Sequence, residues 1–195
     1  KKIFFWYTSG GVTSKLKLAE KFADVIFTAS KESFRVPSKK VMVTGHGIDT
    51  ELFKPVRNDG DVRDVGNEQF QQLNQAKRSN NSIKILSVGR IAPVKNYETL
   101  VDAAKILKEN GVDFSITMVG EVPLEKDKIY QKNLESRIKN LELEKELNFV
   151  GKVNHKDLPQ YYQSHDIFVH LSKTGSLDKT ILEAMASGMK VLSSN

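Results

Sequence analysis

Short apolar runs alternating with helical stretches constrain this chain more than any other feature. From residue 83 onward the runs are Ile83–Val88, Phe114–Val119, Leu147–Val150, Ile167–His170 and Met189–Ser193. Between them lie Asn96–Glu109, Lys128–Leu141, Asn154–Gln163 and Thr180–Ser187, whose apolar residues recur at helical spacing. A run apolar at nearly every position is a strand buried on both faces. Strands of that kind with a helix after each one predict a parallel sheet covered by helices. The same alternation holds earlier, with strands over Ile3–Trp6, Val25–Thr28 and Val41–Val43 and a helix over Ser14–Phe22. The expected class is α/β, Rossmann-like, with a parallel sheet.

The pattern breaks between Lys54 and Ser82. Asn58-Asp59-Gly60-Asp61 opens this stretch and Ser79-Asn80-Asn81-Ser82 closes it, with Gln, Asn and charges between them. The expected organisation is a first unit over residues 1–55, a linker or surface excursion over 56–82, and a second unit over 83–195. One short helix is expected near Glu68–Lys77. Three strands are too few for residues 1–55 to complete a core of their own kind, and the last strand runs out at Asn195. The expectation is therefore a piece of a larger two-domain protein.

Composition removes several functions. The 195 residues include no cysteine, which excludes disulfides, thiol catalysis and iron–sulfur clusters. Four histidines without an HExxH pairing give no dedicated metal site. No apolar run approaches ~20 residues, and Ile3–Tyr7 is too short for a signal-peptide core, so a cytoplasmic location is expected. Residues 1–55 hold 10 Lys/Arg against 5 Asp/Glu, whereas the rest is nearly balanced. Such a basic stretch either contacts an anionic surface, a membrane included, or is solvated lysine on helix faces. No nucleic-acid-binding motif is present.

In open α/β sheets ligands bind beyond the carboxyl ends of the strands. Four loops there carry unusual residues. The first is Val88-Gly89-Arg90-Ile91-Ala92-Pro93-Val94-Lys95-Asn96, where two cations precede a helix start and suit a diphosphate. Two solvated basic residues would account for it equally well, and it is not a P-loop. Val119-Gly120-Glu121 and Phe149-Val150-Gly151-Lys152 are strand-end glycines that an ordinary turn also needs. The fourth is Thr174-Gly175-Ser176-Leu177-Asp178-Lys179-Thr180, leading into Ile181-Leu182-Glu183-Ala184-Met185-Ala186-Ser187-Gly188. Its helix-start N–H groups can hold phosphate, and the Glu183 carboxylate can accept from ribose hydroxyls or lie exposed on the helix surface. Ala184, Met185 and Ala186 are expected to pack in the core.

Taken in order, these segments resemble the retaining glycosyltransferases of family 4, or group 1, of GT-B type. Ala23-Asp24-Val25-Ile26-Phe27-Thr28-Ala29-Ser30 is similar to that family's A-D-x-I-x-x-x-S segment. Gly45-His46-Gly47-Ile48-Asp49 through Phe53-Lys54-Pro55 is similar to its N-G-I-D…F-x-P segment, with His46 for Asn. Val88-Gly89-Arg90…Lys95 resembles V-G-R-L-x-x-x-K-G, with Asn96 for the last glycine, and Phe149-Val150-Gly151 resembles F-x-G. Leu182–Gly188 resembles L-E-A-M-A-x-G, but Gly175 stands where the family's E-x7-E motif has its first Glu.

The resemblance implies a truncated GT-B chain: the end of the acceptor-side domain followed by most of the donor-binding one. It implies transfer of a sugar from a nucleotide diphosphate sugar to an acceptor hydroxyl with retention, in polysaccharide biosynthesis, the donor carrying UDP or GDP. Arg90 and Lys95 would be catalytic, neutralising the diphosphate without a metal or other cofactor. Gly89, Gly120, Gly151, Ser176, Leu177, Asp178, Lys179, Thr180 and Glu183 would bind the donor: Glu183 the ribose, the Gly151 region the base. Asp178, three residues on from Gly175, is the nearby candidate to serve where the first Glu is missing. The acceptor would be a glycan or lipid-linked molecule, with peripheral membrane contact through residues 1–55. This piece alone is expected to be inactive. A non-catalytic nucleotide-sugar-binding module and another GT-B enzyme, such as a sugar-nucleotide epimerase, remain as alternatives.

Overall fold

Two parallel sheets follow one another in the computed structural model, which describes residues 1–55, 82–173 and 178–194. The first has three strands, β1 (Phe4–Trp6), β2 (Val25–Thr28) and β3 (Val41–Val43), in sequence order. Helix α1 (Ser14–Phe22) joins β1 to β2 and starts at Thr13, whose hydroxyl accepts from the Leu16 N–H at 3.1 Å. That bond satisfies one of the orphan donors of the first turn. Leu16 packs with Ala23, Ile26 and Phe34 in a small core. Phe4, Trp6 and Met42 remain exposed.

The second sheet has five strands: β4 (Ile83–Val88), β5 (Phe114–Val119), β6 (Leu147–Gly151), β7 (Ile167–His170) and β8 (Lys190–Ser193). Their spatial order is β6-β5-β4-β7-β8, all parallel. The chain therefore runs outward from β4 on one side, then crosses back to β7 on the other. That reversal makes a crevice between the carboxyl ends of β4 and β7, the place where open α/β sheets take ligands.

Among the described residues four helices cover the sheet: α2 (Tyr97–Glu109), α3 (Asp127–Asn140), α4 (Leu158–Ser164) and α5 (Lys179–Ala186). On one face Tyr97, Leu100, Val101 and Ala104 of α2 and Leu134 and Ile138 of α3 pack on Ile85, Ile116 and Met118. On the other, Leu158, Tyr162, Ile181 and Ala184 pack on Leu86, Val88 and Phe168. Each large side chain so buried contributes roughly 1.5–3 kcal/mol against leaving it in water.

Phe53 belongs to this second core, 1% exposed, edge-on to His155 and Tyr162. Gln163 donates to the Lys54 carbonyl at 2.8 Å, and Pro55 lies against Gly188. The last residues of the expected first unit thus pack on the second sheet. Several element limits differ from expectation by a residue, as at the start of α2. α2 starts at Tyr97 because Asn96 is left-handed, with φ 54°. The expected 154–163 helix is a 3-10 turn at His155–Asp157 followed by α4. Met185, expected in the core, is exposed. The expected helix near 68–77 lies outside the described residues.

Candidate functional site

Three glycines stand side by side at the carboxyl ends of β4, β5 and β6. The Gly89 N–H donates to the Val119 carbonyl and the Gly120 N–H to the Gly151 carbonyl, each at 2.9 Å. Gly120, at φ +153°, lies so close to β4 that a Cβ would sit 1.9 Å from the Gly89 carbonyl oxygen. Of the three, Gly151 has no described atom within 4 Å of where a Cβ would stand, so a ligand can approach backbone there. Gly89 also makes room for Lys95, whose Cε would lie 3.1 Å from a Cβ at that position.

Buried Tyr97 fixes this loop from below. Its hydroxyl donates to the Gly89 carbonyl at 3.1 Å, and burial pushes that hydroxyl up to about 12, against a lowering hydrogen bond from Ser87. The Tyr97 N–H, orphaned at the start of α2, donates to the Tyr130 hydroxyl, which in turn donates to Glu98. The loop between them turns through Asn96 in place of a glycine. Asn is one of the few side-chain-bearing residues that enters the left-handed region readily.

The crevice between β4 and β7 holds a cluster of three polar side chains. Lys95 Nζ is paired with Asp178 Oδ2 and lies 3.3 Å from His170 Nε2. His170, at the end of β7 and 2% exposed, stands 2.6 Å from the same carboxylate oxygen. At that distance a proton must lie between them, so Nε2–H donates to Asp178. The ring's other nitrogen, Nδ1, is buried with no partner among the described residues. Burial alone would raise the Asp178 carboxyl. Hydrogen bonds from His170 and Lys95, and the charge of Lys95, outweigh it and hold Asp178 well below the usual carboxylate range. The Lys173 N–H donates to the Val94 carbonyl at 3.1 Å and ties the two loops together.

Arg90 is exposed on the Lys95 loop, with no ion pair among the described residues. Lys179 is exposed and Thr180 half-buried in the first turn of α5, and the Thr180 hydroxyl oxygen is buried without a partner among the described residues. Ser176 and Leu177 lie outside the described residues.

Glu183 is not a surface residue. It is 3% exposed, and both carboxylate oxygens are held: Oε2 by the Tyr162 hydroxyl at 3.0 Å, Oε1 beside His155 Nε2 at 3.1 Å. Tyr162 is itself fully buried, and burial together with the Glu183 charge raises its hydroxyl far above the usual range. His155 is largely exposed, so it is the displaceable partner. The structure therefore brings Gly89, Lys95, Asp178, Gly120 and Gly151 together along one rim and sets Glu183 one turn deeper. Sequence reasoning passed over His170, Tyr97, Tyr162 and His155. A histidine closing an apolar strand was the one local signal available for any of them.

The family model for Glycosyl transferases group 1 matches residues 68–195. A mannosylfructose-phosphate synthase of Agrobacterium fabrum is 28% identical over 159 residues, covering 80% of this chain and 33% of that protein. The UDP-Gal:alpha-D-GlcNAc-diphosphoundecaprenol alpha-1,3-galactosyltransferase of Escherichia coli is 31% identical over 162 residues, 82% of this chain and 38% of its own length. The chain thus spans only 33–38% of these relatives. Anabaena Alr3699/HepE, solved in complex with UDP and glucose, superposes with a TM-score of 0.78 at 22% identity. The match covers 99% of this chain and 52% of that one and shows the fold alone, the α/β arrangement of GT-B glycosyltransferases. The C-terminal domain of a glycosyl transferase group 1 family protein (LpcC) from Francisella tularensis superposes with a TM-score of 0.60 at 30% identity, covering 75% and 70%.

Proposed function

The chain belongs to the glycosyl transferases of group 1, and from that premise we propose that it binds the nucleotide diphosphate sugar of a retaining glycosyl transfer. The observation that carries this reading is the convergence of Lys95, Asp178 and His170 at the crevice where the strand order reverses, beside the row of strand-end glycines.

In this reading the diphosphate lies over Gly89, with Lys95 and Arg90 on its oxygens and the first N–H groups of α5 beyond. As the bond from the anomeric carbon to the diphosphate oxygen breaks, its electron pair stays on that oxygen. The two cations meet the charge where it grows, which is worth most in a water-poor crevice. They supply the positive charge that a divalent metal would otherwise bring. Glu183 receives ribose hydroxyls once His155 gives way, and the base lies toward Gly151. The acceptor hydroxyl attacks from the facing domain, on the face that retains configuration, and its proton passes to the departing diphosphate oxygen.

Support for a nucleotide donor comes from HepE, which was solved with UDP and glucose. Support for a lipid-linked or glycan acceptor comes from the galactosyltransferase of Escherichia coli, whose substrate is a diphosphoundecaprenol-linked sugar. Among the described residues no helix is long and apolar enough to cross a membrane. Contact with a membrane surface through basic residues 1–55 belongs to the same proposal. Gly175, eight residues before Glu183, favours a second reading: donor binding without transfer.

The test is to supply the full-length protein with UDP-, GDP- and ADP-sugars and candidate acceptors, and to read the anomeric configuration of the product by NMR. An α-linked product from an α-linked donor supports the first reading. Donor binding with no transfer to any acceptor supports the second.

A further inference from the structure

Lys95 already has an anion. Its ammonium is paired with Asp178, and the same carboxylate oxygen is pinned by the buried His170 N–H. Any phosphate that takes Lys95 must share it with, or take it from, a carboxylate that His170 keeps in place. We propose that Asp178 is a specificity residue that makes the site favour a nucleotide sugar over the free nucleoside diphosphate. The proposal rests on the donor-binding reading above.

The two ligands differ in charge at the phosphate next to the sugar. In the nucleotide sugar that phosphate is a diester with a single negative charge. In the free nucleoside diphosphate it is terminal and carries about −1.5 to −2 at pH 7. Repulsion from a fixed carboxylate scales with that charge. Asp178 therefore weakens the free diphosphate more than its sugar ester. Transfer converts the first ligand into the second, so the same residue favours product departure. Its adverse effect on the charge growing during bond breaking is offset by Arg90, which has no ion pair among the described residues.

His170 is a positioning residue in this scheme. Without its N–H, Asp178 would follow the solvent once a phosphate displaced it, and the repulsion would fade. The ring is buried behind the carboxylate and touches Lys95 only at 3.3 Å, so it acts through Asp178.

Calorimetry on the 195-residue chain tests this, with UDP, GDP and ADP each compared with its glucose ester. Wild type should bind the glucose ester of one nucleotide more tightly than that nucleotide alone. Asp178→Asn should tighten the free diphosphate roughly tenfold and the ester by no more than about threefold, and the difference should shrink in high salt. Asp178→Ser, a second neutral replacement at the N-cap position of α5, should behave alike and guards against a local folding defect in either variant. His170→Gln retains an N–H donor and should retain the wild-type preference; His170→Leu should lose it. Equal gains for both ligands, or a loss for both, would overturn the proposal while leaving donor binding intact. No binding of any nucleotide by the wild-type chain would overturn the donor reading, and this proposal with it.

Discussion

The Gly89 carbonyl oxygen occupies the place that a side chain on Gly120 would need, 1.9 Å from an ideal Cβ. Both positions are glycine for different reasons. At Gly120 the obstacle is backbone of the neighbouring strand, which cannot yield. At Gly89 it is the flexible end of Lys95.

Gly120→Ala should therefore fail as a fold. A cost above about 4 kcal/mol is expected, because the β4–β5 pairing must open to admit the methyl. Gly89→Ala should fold and displace the Lys95 side chain instead. Thermal unfolding by circular dichroism separates the two. A Gly120→Ala protein as stable as wild type would contradict the close approach.

Asn96 turns the Lys95 loop at φ 54°. Asn96→Gly should be within about 0.5 kcal/mol of wild type, while Asn96→Ala should cost about 1 kcal/mol for a strained left-handed backbone. Urea midpoints at constant slope measure both. Equal stability of the two variants would argue against the left-handed turn.

Tyr162→Phe removes the hydrogen bond to Oε2 of a carboxylate buried to 3% exposure. A loss of about 1–3 kcal/mol is expected, or roughly 2–4 °C in Tm for each kcal/mol. Tyr161→Phe changes a half-buried neighbour and should leave Tm nearly unchanged. A Tyr162→Phe Tm equal to wild type would mean that Glu183 does not depend on this hydroxyl.

The strands were legible because their signal is local. Val25–Thr28, Val41–Val43, Ile83–Val88, Phe114–Val119 and Ile167–His170 are each an apolar run bounded by polar or turn residues, and the structure forms them with those limits. The strand-end glycines were legible as glycines, but not as one row, because their alignment depends on the β6-β5-β4 order. Glu183 was readable only as a carboxylate in a helix. Its burial depends on Tyr162 and His155, which lie 21 and 28 residues earlier. His170 was readable as the end of a strand. Its partner Lys95 lies 75 residues away and meets it only because the chain crosses back over β4.

Asp178 should make stability depend on acid pH. Its carboxyl lies below the ordinary 3.8 in the folded chain, so the ionised form is the one that stabilises. That contribution is complete above the ordinary value and is lost as pH falls through the lower, folded one. Asp178→Asn should thus lower Tm by a constant amount from about pH 6 down to about pH 5, and by progressively less as the pH is taken below the ordinary value toward the folded one. A Tm difference that does not shrink across that acid range would contradict the pairing.

The central claim is that the crevice between β4 and β7 holds a nucleotide diphosphate through Lys95. Calorimetric titration of the 195-residue chain with UDP, GDP and ADP, repeated on a folded Lys95→Ala variant, tests it most directly. The account predicts binding of at least one nucleotide by wild type, weakened at least roughly tenfold in the variant. Undiminished affinity in Lys95→Ala, or no heat and no competition with any of the three in wild type, would contradict it.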